Sequence, residues 1–145
     1  MTDDQCQAVI AEAQRWLGAR WHHEACVPYY ACDCAQLLVA VYSTVGIIER
    51  PRIDAYSRQW ALHQHEEKFL AVVERYAHPT DTPQPSDIAV WKIGRTYSHG
   101  AIVINWPTIL HADIKAGVVH ANASTGYLAD RKVKFYRVRG EAATI

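Results

Sequence analysis

An α+β domain, helices first and an antiparallel sheet second, is the fold class the sequence predicts. Residues 3–17 and 34–45 space their apolar side chains as helices do. After Pro79, Pro83 and Pro85 the chain changes to short apolar runs bounded by turn residues, the pattern of strands. Its 145 residues, 50% hydrophobic and 21% charged, suit one domain over 1–145 with its own core rather than a disordered chain.

The first helix is expected over residues 3–17, where Val9, Ala13, Trp16 and Leu17 share a face and Asp3 and Asp4 suit the positive end of the helix dipole. Gly18 stops it. Residues 19–32 show no steady period and hold Pro28, Tyr29 and Tyr30, so a long loop is expected there. From Cys34 a buried helix is expected, with Asp33 as its N-cap, Leu37, Leu38, Val41, Tyr42 and Val45 on one broad face, and Gly46 as its left-handed stop. A third helical region is expected over 56–76, interrupted near 63–67. The proline-marked connector then leads to about five strands, at 88–93, 99–105, 108–112, 118–121 and 133–138.

Fifteen basic residues balance fifteen acidic ones, so no global field favours nucleic acid or an anionic membrane. The acidic start MTDDQCQ is unlike a secretion signal, and no apolar run approaches the roughly 20 residues of a spanning helix. Synthesis in the cytoplasm without membrane insertion is therefore expected. Cys6, Cys26, Cys32 and Cys34 crowd into the first quarter of the chain, whereas a disulfide framework staples distant segments, so they are read as reduced thiols. The Cys-x-Cys spacing of Cys32 and Cys34, with no second close pair, argues against a zinc site. Cys6 and Cys26 are given no role. Cys32 is either a small buried side chain or one half of a reversible disulfide.

Cysteine is a nucleophile as thiolate, and a helix N-terminus beside a histidine favours that form. Cys34 has the helix start. Taken alone it is more often an inert buried thiol, so its partner decides. Of eight histidines, His99 opens the apolar run HGAIVI, and His111 follows twelve residues later in TILHA across the short turn NWP. Two antiparallel strands would bring these rings together, giving a thiol, a base and a group that orients the base. His120 in VVHAN offers a similar strand-end position, and the spacing favours His111. A thiolate held by the His99 imidazolium is expected to alkylate well below the free-cysteine pKa of about 8.5. Trp16, Trp21, Tyr29 and Tyr30 read as core and loop packing, or as the wall of a groove beside the nucleophile.

The segment GARWHHEACVPYYACDCAQLLVAVYSTVG resembles the nucleophile region of NlpC-type cell-wall peptidases, in which an Asp-Cys opens a helix after an aromatic residue and a loop. SDIAVWKIGRTYSHGAIVINWPTILHA resembles the family's second block, and together they cover residues 18–121. The resemblance implies a papain-like fold and puts Cys34, His99 and His111 on the three catalytic positions, with no metal and no cofactor. It implies hydrolysis of peptidoglycan stem peptides, most often at the bond between γ-D-glutamate and the diamino acid. The Cys-Asp-Cys of residues 32–34 is closest to the short forms carried with phage tails and gene transfer agents, which implies tail or tail-hub partners and delivery to the periplasm or cell wall in a particle. Two departures bear on specificity. The usual Ser-Gly after the nucleophile is Ala35 and Gln36, and the substrate-binding tyrosine is Trp21, which lacks the hydroxyl. His22 and His23 beside it offer ring donors, so Trp21, His23 and Asp33 are the expected substrate-binding residues. Other readings are a structural tail-tip protein of the same fold and an effector amidase or acyltransferase.

Overall fold

The sequence TDDQ closes a reciprocal cap at the start of the chain. The Thr2 side chain accepts the Gln5 N–H at 3.1 Å, and the Gln5 side chain accepts the Thr2 N–H at 2.8 Å. The helix it opens, α1 (Asp3–Arg15), buries Val9 and Ala13 and ends against Trp16. The structure is a computed structural model and describes residues 1–50 and 68–140. Of the helical region expected over 56–76, the part that falls on 56–67 lies outside the described residues, and the rest is α3 (Lys68–Tyr76).

Residues 19–32 are more ordered than a loop. Three two-residue strands, β1 (Arg20–Trp21), β2 (Cys26–Val27) and β3 (Ala31–Cys32), form a small sheet in the order β1-β3-β2. Such short pairings leave no period to read in sequence. Tyr29 fastens the segment to α1. Its hydroxyl donates to Glu12 Oε2 at 2.8 Å, its ring packs 5.2 Å from Trp16, and the Arg15 guanidinium lies over it at 4.3 Å.

α2 (Cys34–Thr44) is the central helix, and Leu37, Val41 and Tyr42 are almost fully buried. It stops where Gly46 takes φ +79°, a left-handed conformation that costs a residue without Cβ nothing. Behind it stands an antiparallel sheet of six strands, β4 (Ala77–Thr80), β5 (Ile88–Ile93), β6 (Thr96–Asn105), β7 (Thr108–Asp113), β8 (Gly117–Asn122) and β9 (Val133–Val138), in the order β4-β9-β5-β6-β7-β8. The additional strand is β4, which contains Pro79 of the expected connector. Only an edge strand accepts a proline easily, and β4 is the edge, with Pro79 opposite Tyr136. β6 also begins three residues before the expected start, because Tyr97 and Thr96 pair with Lys92 and Ile93 across a turn at Gly94 and Arg95.

Alternation along the strands splits the core in two. Ile88, Val90, Ile102, Leu110, Val118 and Tyr136 pack with the helices. Ala89, Trp91, Ala101, Val103 and Ile109 build a smaller core on the other face with Ala123 and Leu128, closed by Trp106 and Phe135. Asp87, 1% exposed, ties the start of β5 to its neighbour β9 by accepting Arg137 Nε and Nη2 at 3.1 and 3.0 Å. Among the described residues no helix is long and apolar enough to cross a membrane.

Candidate active site

Asp33 caps α2 and anchors the preceding segment at once. One carboxylate oxygen accepts the Gln36 N–H at 2.9 Å and the other accepts the Glu24 N–H at 2.8 Å. The residue is only 3% exposed, so its carboxylate serves backbone amides and positions Cys34 as the first residue of the helix. These bonds give Asp33 a positioning role alongside the substrate contact expected from sequence.

Cys34 meets β6 beside His99. Its thiol donates to the Ser98 carbonyl at 3.7 Å, and the Gly100 N–H donates to the sulfur. The approach depends on Gly100. A Cβ there would stand 2.6 Å from Phe69 Cζ and 2.9 Å from Leu38 Cδ1, so only glycine lets α2 and α3 lie this close to the strand backbone.

His99 is the fourth residue of β6 rather than its first, and lies opposite Trp91, with ring centroids 6.0 Å apart. Its Nε2 is 2.8 Å from His111 Nδ1, and the two rings meet edge to face at 5.0 Å. With Nε2 engaged by His111, Nδ1 is the ring nitrogen that this bond leaves over. If Nδ1 is to accept a proton, Nε2 carries the hydrogen and donates to His111 Nδ1, which fixes both tautomers. His120 cannot replace His111. It pairs directly with Leu110, whose side chain faces the helical core, so it belongs to the other face of the sheet and is exposed.

Burial sets the charge state. It pushes the Cys34 thiol up from 9.0 to about 12, and the neighbouring Asp33 charge adds to this, while the Gly100 and Ala35 amides oppose it. Burial likewise pushes His99 down from 6.5 to about 3, with His111 contributing and Asp113 opposing. His111 is also lowered by burial. The ligand-free pair is therefore a neutral thiol and a neutral imidazole. Desolvation thus favours the neutral forms over the ion pair expected from sequence, against the pull of the helix N-terminus.

Trp21 pairs with Cys32 in the small sheet and stacks at 6.4 Å on His23, whose Nε2 lies 3.1 Å from Glu24 Oε1. Both rings are half-buried, on the segment that Asp33 ties to the start of α2. Cys32 is fully buried, its thiol pushed up to about 12 chiefly by burial, and it stands opposite Cys26 in the β2–β3 register. All four cysteines are free thiols. Among the described residues no group of three or more His, Cys, Asp or Glu is placed to hold a metal ion.

Two further residues close the site. Tyr127, from the short 3₁₀ turn Gly126–Leu128, lies 6.4 Å from the His99 ring and donates to Asp113 Oδ1 at 3.2 Å. Sequence spacing offered no signal for either.

No family model and no curated protein matches the chain by sequence. Solved structures do match it. A Staphylococcus aureus protein described as similar to a lipoprotein of the NLP/P60 family superposes with a TM-score of 0.65 at 20% identity, covering 95% of this chain and 42% of its own. An NlpC/P60 family protein of Bacillus cereus gives 0.61 at 16% identity, covering 92% and 40%. The NlpC/p60 domain of the peptidoglycan hydrolase SagA gives 0.58 at 15% identity, covering 89% and 96%. The chain thus spans about two fifths of the two longer proteins and nearly the whole of the isolated domain. It has the NlpC/P60 fold, an α+β arrangement of the papain-like kind.

Proposed function

We propose that the chain is a cysteine peptidase or amidase of the NlpC/P60 type that hydrolyses peptidoglycan stem peptides, with Cys34 as nucleophile, His99 as base and His111 as the group that orients it. The observation that carries this reading is the Cys34 sulfur at the start of α2, held between Ser98 O and Gly100 N–H, with His99 between them paired to His111 at 2.8 Å. His99 Nδ1 takes the thiol proton as the sulfur attacks the amide carbonyl, and Nε2–H keeps its bond to His111. The imidazolium then protonates the departing amine, and water releases the acyl group from the thioester. The neutral resting pair means that proton transfer accompanies attack. Trp21 and His23 supply the aromatic wall and ring donor for the peptide.

The bond cut is the one between γ-D-glutamate and the diamino acid, and the protein reaches the wall as part of a phage-tail or gene-transfer-agent particle, bound to tail or hub proteins. Support for the substrate comes from the fold shared with the SagA domain. Support for the particle comes from the Cys-Asp-Cys at residues 32–34. Incubation with defined muropeptides, read by mass spectrometry, tests the reading. A product pair split at that bond is expected. Intact substrate with both the free protein and a tail-assembled form would overturn it. One feature favours a non-catalytic structural role: desolvation raises the Cys34 thiol and lowers His99, both away from the charged pair. An electrophilic thiol probe separates the two, because an enzyme labels at Cys34 and a purely structural copy does not.

A further inference from the structure

The Asp113 carboxylate is held more firmly than a surface turn requires. It lies two residues after His111 on β7, so both side chains project from the same face of the strand. One oxygen accepts the Lys115 and Ala116 N–H groups at 2.9 and 2.8 Å, and the other accepts the Tyr127 hydroxyl at 3.2 Å. Tyr127 is 53% exposed although its ring reaches to 6.4 Å from His99, so it stands at the outer wall of the site. The result is a fixed negative charge behind the imidazole pair, with a phenol linking it to the site's opening.

We infer that Asp113, oriented by Tyr127, is a positioning residue for the proposed hydrolysis, whose fixed charge stabilises the imidazolium formed when His99 takes the Cys34 proton. The inference rests on the catalytic reading of Cys34, His99 and His111. Asp113 acts by charge across the strand pleat rather than by touching the reacting atoms. The direction is consistent at each group. Asp113 opposes the burial that lowers both His99 and His111. The turn amides and Tyr127 outweigh burial at Asp113 itself and hold its carboxyl below the usual range, so the charge persists at working pH. Without it, His99 would be a weaker base.

The test is Cys34 alkylation by iodoacetamide at pH 8 on the full chain, beside imidazole chemical shifts and melting temperature. Asp113→Asn and Asp113→Ser keep an acceptor for the turn amides and remove the charge. Each is expected to slow alkylation about three- to tenfold, the effect of roughly half to one pKa unit. Asp113→Glu is expected to restore most of the rate. In the wild type, the His111 ring signals are expected to move through the same inflection as the Asp113 carboxyl carbon. Unchanged rates in the uncharged variants, or imidazole signals blind to the Asp113 inflection, would overturn the inference while His99→Gln still slows alkylation. Alkylation indifferent to His99→Gln would instead overturn the catalytic reading on which it stands.

Discussion

Burial and hydrogen bonding pull the Cys34 thiol in opposite directions, and burial prevails, leaving sulfur and imidazole both neutral. Reactivity toward a small alkylating agent should therefore keep rising with pH past the ordinary cysteine range instead of levelling off near neutrality. Cys34→Ser should abolish hydrolysis with little change in melting temperature, because it removes the nucleophile and hardly alters volume. His99→Ala should lower kcat by about 10²- to 10⁴-fold, the usual weight of a general base. His111→Ala should cost less, and His111→Gln should recover part of the loss by giving His99 Nε2–H an acceptor. Equal losses in the two alanine variants would assign proton transfer to both rings. Much of this centre was legible in sequence. A cysteine after an N-cap Asp and a histidine twelve residues before another across a short turn are local patterns. Asp113 and Tyr127 were not legible, since their bond joins a strand end to a turn fourteen residues on.

The elements were legible where their period was long. α2 begins and ends as its Asp33 and Gly46 indicate, and the core face of β5 to β7 follows strict alternation. The failures have physical reasons. Edge position rescues Pro79 for β4, and pairing with β5 pulls Thr96 and Tyr97 into β6, and neither partner is visible locally. Gly100 shows how an element contact sets the site. Gly100→Ala places a methyl against Phe69 and Leu38 and should destabilise by about 1–3 kcal/mol through overpacking. Because α2 must then withdraw from β6, activity should fall by more than the unfolded fraction explains. Chemical denaturation and specific activity measured on the same preparation check it, and a loss of activity that only tracks unfolding would remove Gly100 from the positioning of Cys34.

For the molecule as a whole, the buried titratable groups predict how stability varies with pH. His99 is lowered from 6.5 to about 3, so between those values the unfolded chain binds a proton that the folded chain refuses. Stability is then full above about 6.5 and declines as pH falls through that value toward 3. His111, also lowered, acts in the same sense. Cys32 and Cys34 are raised from 9.0 to about 12, so above 9.0 the unfolded chain loses protons that the folded chain keeps, and stability declines again as pH rises. A plateau from about pH 6.5 to 9 is expected, and the two limbs have separate owners. His99→Gln should lessen the acid limb, of which His111 keeps a share, and leave the alkaline one, whereas Cys32→Ser should reduce the alkaline limb alone. Melting temperature across about pH 4.5 to 11 for the three proteins decides it: an acid limb of wild-type steepness in His99→Gln would mean that His99 takes up its proton as readily in the folded as in the unfolded chain, contrary to the lowering that desolvation causes.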